Sequence, residues 1–441
     1  MLSDSFEKVF VINLARRPDR LNTFYERLPI DWPFRAPERF DAIDGSRTPF
    51  PRWWKEKQGA WGCYKTHLRL LEECLNRDIQ SVLIMEDDAI CCDGFLQKTR
   101  SFFENLPDDW NFVYLGGQHL QETVRLPREI NEWVYRSFNV NRMHAYGLRG
   151  REIMESIYTY LHDYASWTVP HHVDHYLGEL QKTLGTGLYV PRDWLVVQAE
   201  GESDITGRFE DQKRFPGAEE LIHPEIGQTG IAILGDWFGG INLLAGVLHC
   251  LGINLGADMK FRHSPEHAVT FEDARLTEIF HHTYAPHWLT EKLPYEDRVN
   301  HLRYWAGIQC RAKPEEKYFC AKHPHLSLLG REMMEAWPEP LFLVVERPPD
   351  ESLQTMSRSR DPWNLETFQR AVHILRQERE TFLSKDRPRF LRISYNKLKA
   401  FPESEVRSIC GFLELDPVST QFERAVEMIW TSPDDDCVIL P

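Results

Sequence analysis

A run of three carboxylates, Glu86-Asp87-Asp88, directly follows the apolar segment 81–85. A short apolar run rich in branched residues predicts a buried strand, and three carboxylates at its end cannot stay buried without a partner. A divalent cation is the natural partner, because hard cations prefer carboxylate oxygens. A metal held there can bridge and neutralise a departing nucleotide diphosphate. The triplet taken alone is equally compatible with an acidic turn after a core strand.

A second apolar run, residues 9–14, predicts a first strand close to the N-terminus, and the loop after it carries Arg16, Arg17 and Arg20. A basic loop at the carboxyl end of a parallel strand suits an anionic ligand, and arginine offers a planar fork for phosphate oxygens. A helix with one buried face is predicted next, because four apolar residues recur at helical spacing: Tyr64, Leu68, Leu71 and Leu75.

These motifs resemble, in kind and in order, those of the family-25 glycosyltransferases, which include lipooligosaccharide and collagen galactosyltransferases. The resemblance covers residues 5–206. One departure is Thr66, where the family usually has Ser. The matching residues are Val11-Ile12-Asn13-Leu14, Arg16 to Arg20, Ala42, Asp44-Gly45, Gly62-Cys63, His67, Glu86-Asp87-Asp88, Tyr114-Leu115-Gly116-Gly117, Ala145-Tyr146-Gly147, Val173-Asp174-His175-Tyr176-Leu177, Pro191, Gln198 and Ser203-Asp204-Ile205.

The resemblance implies a GT-A nucleotide-sugar-binding domain and an inverting reaction that uses a catalytic metal, Mn²⁺ or Mg²⁺, on Asp87 and Asp88. It makes Asp174 and His175 the candidates for the general base or for positioning the acceptor. A salt-bridged helix start is the structural alternative for this pair. The expected donor-binding residues are Asn13, Arg16, Arg17, Arg20, Asp44, His67, Glu86, Gln198 and Ser203.

The second half of the chain follows a polar stretch, residues 207–228, whose composition predicts a linker. A strand at 231–234, a Gly-rich turn at 235–240 and a helix at 243–251 then give the layout of a phosphate-cradling loop. This half resembles the sulfotransferase fold, a P-loop-like α/β domain, over residues 229–432. The matching pieces include the loop, Phe271-Glu272-Asp273, Lys322-His323-Pro324, Phe342 to Pro348, Thr355-Met356, Ile393-Ser394-Tyr395 and Gly411-Phe412-Leu413.

The loop itself departs from the sulfotransferase family. Phe238 stands where the family has a cation, and Gly239 and Ile241 stand where it has hydroxyl residues. Asp236 places an acid beside the expected anion site, so we expect the loop to repel a phosphosulfate. Arg347 and Thr355 occupy the positions that contact the 3′-phosphate in the family, and we interpret them as vestigial contacts.

Composition agrees with an enzyme of two or more domains, because 441 residues exceed one core and 42% of them are hydrophobic. The net charge of −15 argues against nucleic acid or an anionic membrane as a general partner. The polar N-terminus lacks a signal-peptide pattern, and no apolar run is long enough to span a bilayer. Nine scattered cysteines predict reduced thiols and a cytoplasmic protein.

The sequence therefore predicts a glycosyltransferase domain at 1–206, a linker at 207–228 and an inactive sulfotransferase-like domain at 229–441. The first domain would move a hexose, galactose or glucose, from a UDP-sugar to a hydroxyl of a glycan or another acceptor. The second would bind the acceptor or stabilise a homodimer. Two alternatives stay open: a bifunctional glycosyl- and sulfotransferase, and a non-catalytic carbohydrate-binding or scaffold protein.

Overall fold

The structure is a computed structural model that describes residues 2–163, 172–184, 187–205, 207–211, 214–257, 271–284, 292–358 and 364–432. The chain divides into two compact units, Met1–Leu221 and Ile222–Pro441. The division falls inside the segment 207–228 that the sequence predicts as a linker. Each unit combines helices with a sheet of its own, so the predicted α/β class is confirmed.

The N-terminal unit is built mainly on one mixed sheet. Its strands are β1 Lys8–Asn13, β2 Glu38–Asp41, β3 Ser81–Glu86, β4 Ala89–Cys91, β5 Phe112–His119, β6 Arg128–Asn131, β7 Val134–Arg136, β8 Val140–Arg149, β9 Leu188–Pro191, β10 Val196–Gln198, β11 Gly201–Glu202 and β12 Phe209–Glu210. Its helices are α1 Pro18–Arg27, α2 Gln58–Asn76, α3 Phe95–Glu104, α4 Arg151–His162 and α5 Val173–Gln181, and α6 Ala218–Ile222 lies at the division.

Within the described residues this sheet has eight strands in the order β2-β1-β3-β8-β5-β9-β7-β6. The strand β1 runs parallel to both β2 and β3, whereas β8 runs antiparallel to β3 and β5. The carboxyl ends of β1, β2 and β3 therefore open on the same edge as the amino end of β8. Short pairs outside this sheet, β4 with β10 and β11 with β12, add to the unit.

Helix α2 packs one apolar face into the unit, as its spacing predicts. Tyr64, Leu68 and Leu71 are buried, and their recurrence every three to four residues fits a helix turn of 3.6 residues. A side chain at Gly62 would collide with the chain, because a Cβ atom there would lie 2.5 Å from the carbonyl oxygen of Ile43. The absence of a side chain at this position thus lets the start of α2 approach the loop after β2.

The C-terminal unit alternates strands with helices. Its strands are β13 Thr229–Leu234, β14 Tyr318–Lys322, β15 Leu341–Glu346 and β16 Phe390–Ser394. Its helices are α7 Ile241–Cys250, α8 Ala274–Thr283, α9 Tyr295–Ala312, α10 Gly330–Ala336, α11 Pro349–Arg358, α12 Leu365–Asp386, α13 Tyr395–Ala400, α14 Pro402–Leu413 and α15 Ser419–Thr431.

The four described strands of this unit are all parallel, in the order β14-β13-β15-β16. The predicted strand, Gly-rich turn and helix are present as β13, the loop 235–240 and α7. The helix is apolar on nearly every side and buried in the core of the unit. The loop before it turns through left-handed backbone at Phe238 (φ +58°) and Gly240 (φ +103°).

No helix in the described part of the chain is both long enough and apolar enough to cross a membrane. The eight cysteines within the described ranges are free thiols.

Candidate active site

Asn13 joins the end of β1 to the acidic turn after β3. Ile12 pairs with Glu86 across the two parallel strands, so the next residue, Asn13, lies beside the turn. Its buried amide nitrogen donates to Asp87 Oδ2 at 2.7 Å and to the backbone oxygen of Arg17 at 2.8 Å. The predicted donor-binding residue therefore also orients the acidic turn and the arginine loop.

Arg20 partly neutralises the two aspartates of the triplet. Its Nε lies 3.0 Å from Asp87 Oδ1, and its Nη2 lies 3.0 Å from Asp88 Oδ2. Its Nη1 lies 3.4 Å from Asp204 Oδ2. One guanidinium is thus shared among three carboxylates, and among the described residues Asp87 and Asp88 have no other cation within ion-pair distance.

Asp204 forms ion pairs with the other two arginines of the loop after β1. Arg16 Nη1 and Arg17 Nη1 each lie 2.7 Å from one of its carboxylate oxygens, and Arg16 Nε lies 3.0 Å from Asp44 Oδ2. The arginines predicted to neutralise a diphosphate therefore neutralise acidic side chains of the protein in this structure. An incoming phosphate has to share them or displace a carboxylate.

The buried side chain of His67 contacts Glu86, the first residue of the triplet. His67 Nδ1 lies 3.0 Å from the hydroxyl of Tyr146, and its Nε2 lies 3.5 Å from Glu86 Oε1. Burial favours a higher pKa for Glu86, but the imidazole of His67 lowers this pKa below its usual value.

Cys63 completes a set of three potential metal ligands with His67 and Glu86, whose donor atoms lie within 4.8 Å of one another. Burial, and after it the charge of Glu86, raises the pKa of the Cys63 thiol well above its ordinary value. A thiol binds metal as the thiolate, so we interpret this set as a wall of the site and not as a metal centre.

The charge of Asp88 is only partly compensated. Burial, followed by the charge of Glu86, raises the pKa of Asp88 from 3.8 to about 7, and burial also raises the pKa of Asp87 despite Arg20. The Oδ1 atom of Asp88 is buried without a hydrogen-bond partner. A buried carboxylate oxygen without a partner suits a hard divalent cation. The residues therefore fit the predicted metal, with Asp88 as the ligand that has an oxygen without a hydrogen-bond partner.

Two cavities meet at the triplet. The larger, about 650 Å³, extends along the end of β1, the loop after β2 and the start of α2. The smaller, about 420 Å³, extends along the start of β8 and of α5. Both volumes fall in the range of roughly 300–1,000 Å³ that is usual for small-molecule sites. The residues that line both cavities are Arg20, Cys63, Glu86, Asp87, Asp88, Gln198, Ser203 and Ile205.

The nine predicted donor-binding residues all line one or both of these cavities. Those in the larger cavity alone are Asn13, Arg16, Asp44 and His67; Arg17 lines the smaller one alone; and Arg20, Glu86, Gln198 and Ser203 line both. Residues that are up to 190 positions apart in sequence are thus brought to one place.

Asp174 and His175 lie in the first turn of α5 and face the smaller cavity together with Asp88. The Asp174 carboxylate accepts hydrogen bonds from the backbone nitrogens of His175 and Arg142, at 3.0 and 3.2 Å. His175 Nε2 lies 3.4 Å from the amide nitrogen of Asn141. These bonds fix the orientation of both predicted catalytic side chains at the cavity wall.

Gln198 and Ser203 lie on the segment that follows β9. Gln198 pairs with Ala89 between β10 and β4, and its side-chain nitrogen donates to Asp88 Oδ2 at 3.4 Å. Ser203 Oγ accepts a hydrogen bond from the backbone nitrogen of Ile205 at 3.2 Å. This segment therefore also contacts the acidic turn.

In the C-terminal unit, Asp236 of the loop 235–240 forms ion pairs with arginines elsewhere in the unit. Asp236 is buried, and its carboxylate lies 2.5 Å from Arg376 Nε and 3.2 Å from Arg379 Nη1, both on α12. The sequence predicted that Asp236 would repel an anion, but two guanidinium groups compensate its charge. The Phe238 ring packs against Phe368, 5.8 Å between ring centroids.

Arg347 holds the same loop from the end of β15. Its Nη1 donates to the backbone oxygen of Phe238 at 3.0 Å, and its guanidinium stacks 4.3 Å from the ring centroid of Tyr395. Thr355 is buried on α11. Of the two predicted vestigial phosphate contacts, Arg347 therefore contacts the loop in this structure.

Two charged residues of the N-terminal site were missed as site residues by the sequence interpretation. Asp204 stands in the quoted motif Ser203-Asp204-Ile205, but its pairing with Arg17 spans 187 residues and leaves no spacing signal. Arg142 lines the smaller cavity at the start of β8. Only its position three residues before the motif Ala145-Tyr146-Gly147 could have drawn attention to it.

Family comparisons agree with both predicted resemblances. Residues 6–158 match the glycosyltransferase family 25 (LPS biosynthesis protein), and residues 255–419 match a sulfotransferase family. The chain thus carries a family-25 glycosyltransferase segment followed by a sulfotransferase-family segment, as predicted. The first match ends before Asp174, and the second begins after the loop 235–240.

Curated relatives cover part of the first unit. Procollagen galactosyltransferase 2 of Homo sapiens is 27% identical over 135 residues, which are 26% of this chain and 21% of that protein. Inactive glycosyltransferase 25 family member 3 of Homo sapiens is 29% identical over 133 residues, 25% of this chain and 22% of that protein. The chain thus matches about a fifth of each relative's length. Identity at this level does not separate active from inactive members.

Among solved structures, the sulfotransferase domain from the Synechococcus PCC 7002 olefin synthase is 15% identical and has a TM-score of 0.31. The match covers 48% of this chain and 80% of that domain.

The buried ion pair of the C-terminal loop predicts a large loss of stability in Asp236→Ala. Two arginines would lose their shared partner, one of them fully buried, so the free energy of unfolding of this unit should fall by about 3–5 kcal/mol. Chemical denaturation followed by tryptophan fluorescence measures it. Asp416→Ala, at an exposed position, is the matched control and should change stability by less than about 0.5 kcal/mol. Equal effects of the two substitutions would contradict the structural role of Asp236.

Proposed function

We propose that the N-terminal unit is a metal-dependent, inverting glycosyltransferase of the GT-A fold that moves a hexose from a UDP-sugar to a hydroxyl group of a glycan or similar acceptor. The observation that carries this proposal is the half-buried triplet Glu86-Asp87-Asp88 at the junction of two cavities, with one oxygen of Asp88 buried without a partner. The family-25 match over residues 6–158 and the galactosyltransferase relative support the reaction class.

The larger cavity is the proposed donor site. Asn13, Arg16 and Asp44 line it near the end of β1, where parallel strands commonly bind nucleotides. Its arginines already share carboxylate partners, so a bound diphosphate would exchange one anionic partner for another and would not bring a new uncompensated charge. A volume of about 650 Å³ accommodates a ligand of this size.

Asp88, supported by Asp87, is the proposed ligand of Mn²⁺ or Mg²⁺. A bound divalent cation would supply Lewis acidity toward the diphosphate leaving group. The protein's own contribution is to hold the two carboxylates in place through Arg20 and Asn13. Glu86 stays ionised behind them through its contact with His67.

The smaller cavity is the proposed acceptor site, with Asp174 as general base. The acceptor oxygen would bond to the anomeric carbon while the bond from that carbon to the diphosphate oxygen breaks. Asp174 would take the hydroxyl proton, and the nucleoside diphosphate would leave with the bonding electron pair. His175, held near Asn141, would position the acceptor.

The C-terminal unit is proposed to bind the acceptor or to stabilise a homodimer. Its described strands and helices share a buried hydrophobic core, and Asp236 and Arg347 anchor its loop through ion pairs and a hydrogen bond. Free cysteines within the described residues support a reducing compartment, and we propose that the protein is cytoplasmic.

Asp88→Asn should lower Mn²⁺-dependent hydrolysis of the UDP-sugar by about two orders of magnitude or more, because the variant removes the charged metal ligand. Asp93→Asn, an exposed position a few residues away, serves as control and should retain activity. Product release is measured with UDP-galactose and UDP-glucose, with and without Mn²⁺. Full activity of Asp88→Asn would refute the metal assignment. A wild-type protein that hydrolyses neither donor would favour the non-catalytic alternative.

Asp174→Asn should lower turnover roughly 10²- to 10⁴-fold with little change in donor affinity, since it keeps the shape of the side chain and removes the proton acceptor. Glu179→Gln changes an exposed carboxylate on the same helix and should leave turnover intact. Steady-state kinetics and donor titration separate the two quantities. A loss of donor affinity with turnover preserved would instead make Asp174 a donor contact.

A bifunctional glycosyl- and sulfotransferase is the second candidate, because residues 255–419 match a sulfotransferase family and include Arg347 and Thr355. The ion-paired loop argues against it, and we expect isothermal titration with 3′-phosphoadenosine 5′-phosphate to show no binding. Saturable binding that disappears in Arg347→Ala would instead establish the bifunctional enzyme.

A further inference from the structure

Arg142 occupies an unusual place at the edge of the smaller cavity. The antiparallel pairing of β8 with β3 sets Ala145 opposite Met85, so the residues before Ala145 run alongside the acidic triplet. The backbone of Arg142 is left-handed, with φ +74°. A side chain larger than glycine adopts this conformation at a cost in free energy, and such strain persists where the surroundings fix it, commonly at functional sites.

Several contacts hold Arg142 in this conformation. Its backbone nitrogen donates to Asn141 Oδ1 at 2.9 Å and to Asp174 Oδ2 at 3.2 Å. Its Nη1 donates to Gln198 Oε1 at 3.2 Å, and its guanidinium lies 5.0 Å from the ring centroid of Phe215. The backbone and the charged end of the side chain are therefore both positioned.

Arg142 makes no ion pair in the part of the chain that the structure describes. Arg16, Arg17 and Arg20 are each ion-paired with aspartates, whereas no carboxylate in the described ranges lies within ion-pair distance of Arg142. Its guanidinium carries five N–H groups, of which one donates to Gln198. A half-buried guanidinium with unused donors at a cavity is suited to bind an anionic oxygen of a ligand.

Gln198 connects this cation to the acidic turn. Its side-chain oxygen accepts from Arg142, and its side-chain nitrogen donates to Asp88 Oδ2 at 3.4 Å. One amide thus separates Arg142 from the proposed metal ligand. An anionic group that reached a cation at Asp88 would also lie close to Arg142, which identifies the diphosphate as the ligand, in preference to a carboxylate on an acceptor sugar.

We propose that Arg142 binds the diphosphate of the donor and neutralises the charge that develops on it as the glycosidic bond breaks. The inference rests on the proposed glycosyltransferase function and puts the diphosphate at the junction of the two cavities, where a residue of the smaller cavity also contacts the donor. The larger cavity would bind the nucleoside portion of the donor. The contribution of Arg142 to binding affinity should therefore increase with the phosphate charge of the ligand.

The test compares UDP with uridine, each titrated by calorimetry in the presence of Mn²⁺. Arg142→Gln removes the charge. Arg142→Gly removes the charge as well but adopts φ +74° without strain, so it should fold at least as well as the wild type. Arg128→Gln is the control, because Arg128 is an exposed arginine on β6 that lines neither cavity and makes no ion pair in the described part of the chain.

Both Arg142 variants should weaken UDP binding about tenfold or more, the usual value of a charge-assisted contact, while uridine binding and the control stay unchanged. Wild-type UDP affinity in Arg142→Gly would overturn the inference and leave the proposed function standing. An equal loss for UDP and uridine would also overturn it, because the role of Arg142 would then be structural. A wild-type protein that does not bind UDP with Mn²⁺ would overturn the proposed function itself.

Discussion

The N-terminal unit depends on how it compensates three adjacent carboxylates at the end of a buried strand. Glu86, Asp87 and Asp88 repel one another and lose hydration where β3 ends, so the surrounding chain must supply donors and positive charge. It does so with Asn13 and Arg20, drawn from β1 and α1. The compensation is incomplete, because Asp88 retains a raised pKa of about 7 and an oxygen without a partner.

The C-terminal unit also has a carboxylate at the end of a strand, but the charge of this carboxylate is compensated differently. A buried carboxylate, Asp236, again follows an apolar strand, but Arg376 and Arg379 contact both of its oxygens. Arg347 donates a hydrogen bond to the backbone oxygen of Phe238 in the same loop. The incomplete compensation in the first unit suits a cation, whereas in the second unit an arginine contacts each oxygen of Asp236. This contrast is the physical basis for our proposal that the first unit is the catalytic one.

Much of the architecture was predictable because it depends on local pattern. The strand before the acidic triplet, the amphipathic helix α2 and the strand–turn–helix at 229–250 follow from hydrophobic spacing and glycine position. Both family resemblances were also confirmed. The charge of the loop at Asp236 was misjudged, because the two arginines that neutralise it lie about 140 residues away on α12.

The sequence by itself determined which residue types are present and where strands end: an acidic triplet after one strand, an arginine loop after another, and an apolar loop in place of a phosphate-binding one. Only the tertiary structure decided their pairing. The register of β1, β3 and β8 sets Asn13, the triplet and Arg142 side by side, and Asp204 reaches the arginine loop across 187 residues. Charge compensation depends on distances of a few ångströms, and sequence spacing does not specify these between residues so far apart.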